Sequence, residues 1–278
     1  MRSTSAADRI SPGRRGLLGM AALVAAHGPT RAQTGAALTP AGDHTMNDNA
    51  RPPGGGAPPT PQETAPRSGD PALTAPQRAI GPVAAATATG DMARLSAALE
   101  RALDAGLTVS EIKEVLVQLY AYAGFPRSLN ALTAFMQLLQ ARRQRGIQDA
   151  PGREPGPLPA PQQMLAVGTA NQTRLSGAPV RGPLFEFAPA IDQYLKTHLF
   201  GDIFARDNLD WRQRELATVA ALSALSGVAS QLQAHVRISL NVGLTVTQLN
   251  QLAATLADEG QADAGQRLLE SLDSHPGG

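Results

Sequence analysis

Apolar residues between positions 91 and 273 recur at helical spacing and fall into segments that end at glycine corners. The first such stripe consists of Leu95, Leu99 and Leu103. It ends before Gly106, and glycine is the residue best suited to the left-handed position after a helix. Thr108 follows, with Glu111 three residues later, which is the pattern of a capping box. The corner therefore predicts the end of one helix and the start of the next.

The same corner occurs again in the stretch 231–249, which reads QLQAHVRISLNVGLTVTQL. Its glycine, Gly243, lies 137 positions after Gly106, and the same shift aligns apolar residues on both sides of the corner. The chain is therefore predicted to contain two copies of one helical unit. Because the shift places His235 where the first copy has Ala98, we expect any reactive site in the second copy.

Hydrophobic periodicity predicts further helices on both sides of these corners. Helices are expected from Thr108 to a break at residues 123–124, from Pro126 to about Gly146, from about Pro189 to Leu199, from Asp210 to residues 226–227, across His235, through Leu249 to Leu256, and from Ala262 to Leu272. Residues 163–183 have no clear periodicity, and residues 201–208 are expected to form a loop. The helix that begins with the Asp210 and Gln213 capping box is apolar after Glu215, which predicts burial on most sides.

The first 32 residues have the pattern of a targeting segment. Arg14 and Arg15 precede an apolar run, residues 17–26, and a small-residue site at residues 30–32. This order is typical of a twin-arginine signal, although a disordered basic tail or anchor is an alternative interpretation. We therefore expect export by the bacterial twin-arginine machinery to the periplasm or beyond. No stable membrane span is expected, because the run is shorter than the about 20 residues that a spanning helix needs.

Proline and glycine divide the remainder into repeats and connectors. The chain has 22 prolines and 27 glycines, too many for a wholly helical protein unless they are segregated. Residues 33–85 are predicted to be a disordered Pro/Gly-rich linker, with some packing just before the first helix. The first repeat is expected at 86–149, a Pro-rich connector at 150–162 and the second repeat at 163–274.

Composition excludes several classes of chemistry. The chain has no cysteine, which excludes a disulfide framework, a thiolate metal site and a cysteine nucleophile. Its formal net charge is +1, but the first 32 residues carry five arginines and one aspartate, so the body is mildly acidic. Aromatic residues make up only 4%. We therefore expect no nucleic-acid partner.

Three segments resemble a known family. They read GLTVSEIKEVLVQLYAYAGFPRSLNAL, RELATVAALSAL and QLQAHVRISLNVGLT. Their order is similar to that in the carboxymuconolactone decarboxylase family, whose fold is shared with alkylhydroperoxidases of the AhpD type. The resemblance covers roughly residues 91–273. It implies an all-α, AhpD-like fold of two repeated helical units that assembles as a homo-oligomer, either a trimer or a hexamer.

The resemblance also separates two kinds of chemistry. The peroxidase branch of the family uses a glutamate, a Cys-x-x-Cys pair and a histidine, but residues 216–234 contain no sulfur. A serine hydroxyl cannot cycle through a sulfenic acid, so thiol peroxidase activity is disfavoured. The decarboxylase branch keeps a glutamate and a histidine, matched here by Glu215 and His235. The resemblance thus implies a carboxy-lyase similar to 4-carboxymuconolactone decarboxylase.

Lactone decarboxylation needs an acid, a donor for the developing oxyanion and a cation that holds the departing carboxylate. His235 is predicted to be the acid, and Glu215 is predicted to orient its imidazole, since an unpaired carboxylate in an apolar helix would be costly. The candidates for binding the substrate are Arg237, Arg214, Arg212 and His198. The expected partner is a small-molecule substrate, and neither a cofactor nor a metal ion is expected.

Two alternatives stay open. One is an antioxidant protein related to the AhpD-type peroxidases that does not use their thiol mechanism. The other is a non-catalytic oligomeric binding or scaffold protein, in which Glu215 pairs with His235 or an arginine only to hold helices or subunits in register. Tyr120 and Tyr122 are expected to pack in the core rather than to line a pocket.

Overall fold

The computed structural model describes residues 72–274, and every regular element in this part of the chain is a helix. The predicted all-α class is therefore confirmed. None of the described helices combines the length and apolarity needed to cross a bilayer. The predicted signal segment, residues 1–32, and the linker up to residue 71 lie outside the described residues.

The helices follow one another through short connections. The first half contains α1 (Ala75–Thr89), α2 (Met92–Asp104), α3 (Val109–Gln118), the short α4 (Tyr120–Ala123) and α5 (Phe125–Gln144). The second half contains α6 (Met164–Ser176), α7 (Pro183–Phe187), α8 (Pro189–Tyr194), a π-helical segment (Leu195–Ile203), α9 (Trp211–Ala224), α10 (Ala229–Asn241), α11 (Val246–Asp258) and α12 (Ala262–Asp273). A short 3-10 turn, Pro161–Gln163, precedes α6.

The helix starts follow the predicted capping boxes. Thr108, Asp210 and Thr245 each accept a hydrogen bond from the backbone N–H three residues later, and the side chain of that residue bonds back to the cap. The two corner glycines adopt φ values of 96° at Gly106 and 91° at Gly243, so both corners have the predicted left-handed residue. These local predictions are confirmed.

The predicted end of the linker at residue 85 is wrong. Helix α1 already begins at Ala75, and its residues 80–88 are buried. Its capping box, formed by Thr74 and Gln77, was missed because prolines surround it. Pro76 lies in the first turn, where the missing N–H would have no partner in the helix in any case. Pro82 lies inside the helix and lacks one backbone hydrogen bond, a cost that burial of the alanine-rich face offsets.

The predicted loop at 201–208 is also partly wrong, because the π-helical segment continues to Ile203. Helix α6, in the stretch without clear periodicity, packs closely against this segment. A Cβ atom added to Gly168 would lie 1.6 Å from the carbonyl oxygen of Lys196. In addition, Asn171 donates its side-chain N–H to the Phe200 carbonyl at 2.8 Å. Contacts between distant segments therefore support a helix that local sequence does not predict.

The core is centred on the two capped helices α1 and α9, whose contact is as extensive as that between α6 and the π-helical segment. Gly81 of α1 also lies against α11: an added Cβ atom would be 2.4 Å from Leu252 Cδ1 but in ordinary contact, at 3.7 Å, with Ala220 Cβ of α9. A second, smaller apolar cluster lies around Phe200, Phe204 and Ile238. Tyr122 contacts both clusters, so α4 lies where the two cores meet.

Gly168→Ala should destabilise the protein, although alanine raises helix propensity by about 1 kcal/mol. The added methyl group would overlap the Lys196 backbone, so we expect a loss of about 3 kcal/mol or more in the free energy of unfolding, measured by urea denaturation. Gly182→Ala is the control, because a Cβ atom there meets nothing within 4 Å. Equal stability of the two variants would contradict the close approach.

Candidate active site

Glu215 and His235 form a buried hydrogen-bonded pair between neighbouring helices. Glu215 lies in the first turn and a half of α9, and His235 lies in the middle of α10. The imidazole Nδ1 is 2.8 Å from Glu215 Oε2. Glu215 has no solvent exposure and His235 is 8% exposed. The structure thus brings together the two residues that the sequence predicts to be catalytic.

The geometry assigns different tasks to the two imidazole nitrogens. A carboxylate oxygen accepts hydrogen bonds, so Nδ1 of His235 carries a proton and donates it to Glu215. Nε2 makes no hydrogen bond to the described residues and is not among their buried unpaired atoms. It therefore belongs to the 10% of the His235 side chain that solvent reaches. Nε2 is the nitrogen able to exchange a proton with a ligand.

Tyr122 is the third polar residue of this site. Its ring meets the His235 ring edge-on, with centroids 5.5 Å apart and an interplanar angle of 81°. The hydroxyl is buried and makes no hydrogen bond of normal geometry, although the Thr218 side chain is near enough to act on it and lower its pKa. Burial and the negative charge of Glu215 raise the pKa of Tyr122 far above its usual value. The phenol is therefore neutral and can donate a proton in a hydrogen bond.

The first half of the chain has no counterpart of this pair. When the capping boxes of α1 and α9 are aligned, Ala79 corresponds to Glu215, and the 137-residue shift places Ala98 at His235. The alignment of Ala79 with Glu215 depends on the start of α1 at Ala75, which the sequence did not predict. Alanine at both positions removes the need to satisfy either polar group. The pair is therefore not required by the repeat architecture.

Arg214 points into a separate buried network. Its Nη1 donates to Gln118 Oε1 at 3.0 Å, and its Nη2 donates to Glu114 Oε1 at 2.8 Å and to the Arg206 carbonyl at 2.7 Å. Desolvation by burial lowers the pKa of Arg214, against the opposing effect of the Glu114 charge. The terminal guanidinium nitrogens are thus already bonded within the chain. Arg214 is not placed to bind a substrate carboxylate.

Glu114 is the acceptor at the centre of that network. Besides Arg214, it accepts from Arg206 Nε at 2.9 and 3.0 Å and from Asn208 Nδ2 at 3.1 Å. Burial acts to raise the pKa of Glu114, but the hydrogen bonds from Arg206 and the charge of Arg214 outweigh it, so the pKa lies below its usual value. Sequence reasoning missed this network, because its members are far apart along the chain.

The remaining predicted substrate-binding residues lie in three different places. Arg212 is exposed and donates from Nε to the Val242 carbonyl at 3.1 Å, at the end of α10. Arg237 is exposed on α10 and pairs with no described residue. His198, on the π-helical segment, bonds Asp202 at 2.7 Å and contacts the Tyr120 ring. Only Arg237 shares a helix with His235.

Two surface cavities lie away from the buried pair. One, of about 760 Å³, is lined mainly by α6. The other, of about 370 Å³, is lined by residues that include Arg174, Trp211 and Arg212. Neither is lined by Glu215 or His235. Within residues 72–274, no three His, Cys, Asp or Glu side chains cluster as metal ligands.

A model of the carboxymuconolactone decarboxylase family matches two regions, residues 64–137 and 189–272. The chain belongs to the carboxymuconolactone decarboxylase family. No curated protein matches the chain. In this carboxymuconolactone decarboxylase family member, Glu215 and His235 both fall in the second matched region, whereas Tyr122 falls in the first. The two matched regions confirm the predicted duplication of the helical unit.

A double-mutant cycle on this family member should show strong coupling between Glu215 and His235. His235→Ala leaves Glu215 buried without its partner, so we expect a loss of about 3 kcal/mol in the free energy of unfolding. Adding Glu215→Ala reproduces the two alanines of the first repeat and should recover about 1–3 kcal/mol of that loss. Urea denaturation measures both values, with Gln233→Ala on the exposed face of α10 as the control. Additive losses would contradict the coupling.

Glu114→Gln should alter the acid sensitivity of folding. Since the folded-state pKa of Glu114 is lowered, its stabilisation is fully present above the unfolded value near 4.5 and is lost as pH falls through the folded value. The variant should be less stable at neutral pH, because Arg214 loses its counter-charge, but should lose less further stability below pH 4.5. Glu154→Gln, at an exposed ion pair with Lys113, should keep the wild-type profile. Unfolding followed against pH tests this.

Proposed function

We propose that the chain is an exported carboxymuconolactone decarboxylase-like enzyme that acts on a small carboxylated lactone or a related organic acid. The hydrogen bond between Glu215 and His235 carries this proposal. Two alanines take the place of this pair in the first repeat, so the fold itself does not demand it. A polar pair that the architecture can omit is a candidate for chemistry.

The reaction begins with cleavage of the bond between the substrate ring and its carboxylate carbon. The electron pair of that bond moves into the conjugated lactone carbonyl, and carbon dioxide leaves. Protonated His235 then gives its Nε2 proton to the electron-rich carbon, while Nδ1 keeps its bond to Glu215. Solvent returns a proton to Nε2. One carboxylate and one proton thus give the decarboxylated lactone and carbon dioxide.

Arg237 is the arginine proposed to hold the substrate carboxylate. It is exposed and has no partner among the described residues; because side chains two apart in a helix leave it about 200° apart, the long Arg237 side chain would have to reach around α10 towards His235. A guanidinium can bind a carboxylate through two parallel hydrogen bonds. Arg212 and His198 already bond a backbone carbonyl and Asp202, respectively, so they are less suited to this role.

Export and assembly are further parts of the proposal. The paired arginines near the N-terminus support recognition by the twin-arginine machinery and a periplasmic or secreted location. A homo-oligomer, trimeric or hexameric, is supported by apolar side chains that are more than half exposed on one face of α5. These are Phe125, Leu129 and Met136. Association would remove this stripe from water.

A non-catalytic scaffold is the second candidate function. The observation in its favour is that neither surface cavity is lined by the Glu215 and His235 pair. In that case the pair would only join α9 to α10. An antioxidant role related to the AhpD-type peroxidases would have to proceed without their thiol mechanism, because the chain has no cysteine.

The mature protein should release carbon dioxide from a conjugated lactone carboxylic acid, and His235→Ala should lower kcat by about 100-fold or more, because the general acid is lost. Carbon dioxide release at matched protein concentration measures this, with Gln233→Ala as a control on the same helix. Near-wild-type turnover by His235→Ala would exclude His235 as the acid. Inactivity of the wild type toward such acids, with normal folding, would favour the scaffold.

A further inference from the structure

We propose that the Tyr122 hydroxyl donates a hydrogen bond to the substrate oxygen on which negative charge develops. This inference rests on the proposed function, because it assigns the oxyanion donor that lactone decarboxylation requires. It also makes the site a joint product of the two repeats, since Tyr122 lies on α4 in the first half and its ring contacts His235 of the second.

Two unpaired polar atoms are the first observation. The Tyr122 hydroxyl and Glu215 Oε1 are both buried and have no hydrogen-bond partner among the described residues. Buried polar atoms in proteins almost always have partners, so unpaired ones need an explanation. Here one atom is a donor and the other an acceptor, and both belong to residues that contact His235. A ligand oxygen is a suitable partner for the donor.

The orientation of the tyrosine is the second observation. Its ring is nearly perpendicular to the imidazole, with an interplanar angle of 81° and centroids 5.5 Å apart. The Nδ1 edge of the imidazole is occupied by Glu215. A substrate that reaches Nε2 therefore approaches a histidine flanked by a phenol and a carboxylate, and of these two only the phenol can donate a hydrogen bond to an oxyanion.

The chemistry of the phenol limits its role. Burial and the charge of Glu215 raise its pKa, so Tyr122 does not serve as a base. A neutral donor in a dry environment stabilises a developing negative charge more strongly than the same donor in water. Donation to the oxyanion strengthens as charge moves into the lactone carbonyl, so its contribution is larger in the transition state than in the bound substrate.

Tyr120 provides a matched comparison on the same short helix. Its ring stacks on Phe125 with centroids 4.3 Å apart and lies 5.5 Å from the His198 ring. Unlike that of Tyr122, its hydroxyl is not among the buried unpaired atoms. Tyr120 and Tyr122 therefore share the residue type, the helix and a neighbouring histidine, but only Tyr122 has an unpaired buried donor.

The test compares Tyr122→Phe with Tyr120→Phe in the full chain. Phenylalanine keeps the ring and its contact with His235 but removes the donor. We expect Tyr122→Phe to lower kcat by about 100- to 1000-fold with little change in KM, while Tyr120→Phe keeps wild-type turnover. Wild-type turnover by Tyr122→Phe, together with an inactive His235→Ala, would overturn the inference and leave the proposed function intact.

A binding measurement decides the inference even if the wild type turns over no lactone acid. The probe is γ-butyrolactone-γ-carboxylate, a saturated analogue that cannot delocalise the charge and so is not decarboxylated. In NMR of protein with isotope-labelled tyrosine, the probe should shift the ζ-carbon signal that is missing from Tyr122→Phe. A shift of that signal would support contact between the phenol and the bound lactone, and the turnover assay separately decides whether the protein is a decarboxylase. Tyrosine signals that do not move at saturating probe, or a shift confined to the other tyrosines, would overturn the inference.

Discussion

The arrangement of helices depends on how two oppositely charged neighbours, Arg214 and Glu215, are satisfied at the buried start of α9. Neither has any solvent exposure, and a buried charge is tolerated only when it is paired and hydrogen-bonded. Adjacent helical residues point about 100° apart, so the two side chains need partners on different sides of α9. Glu114 on α3 is the charged partner of Arg214, and His235 on α10 is the hydrogen-bond partner of Glu215. The dipeptide thereby ties α3 and α10 to α9.

Helix α1, the counterpart of α9 in the first repeat, has no buried charge at the two equivalent positions. Its equivalent arginine, Arg78, is exposed and donates to the Leu73 carbonyl at 2.6 Å, much as Arg214 donates to the Arg206 carbonyl. The next residue is Ala79, which needs no partner. Helix α1 can therefore pack on α9 through small apolar residues alone, and its only constraint is close fit. The buried carboxylate–imidazole pair lies in the second repeat, although the first half also buries Glu114 and Arg142.

Sequence patterns predicted the features that neighbouring residues determine. Each capping box involves residues three apart, so Thr108, Asp210 and Thr245 were identifiable as helix starts. The Glu215 and His235 pair was predictable because a carboxylate at the head of an apolar helix needs a partner. By contrast, Arg206 and Arg214 both bond Glu114, about a hundred positions earlier in the chain, and no local pattern reports such a contact. The π-helical segment likewise depends on packing against α6.

Tyr122 joins the candidate site through the contact between the two repeats. Its side chain packs in both apolar clusters, which makes it part of the contact between the two halves rather than of either alone. Glu215 and His235 are likewise held on long helices whose positions the core fixes. Reacting groups placed on packed helices keep their geometry better than groups on loops. The packing between the two repeats therefore also holds the Tyr122 phenol against the His235 imidazole. A substitution that loosens this packing should change the geometry of the site even where each repeat stays folded.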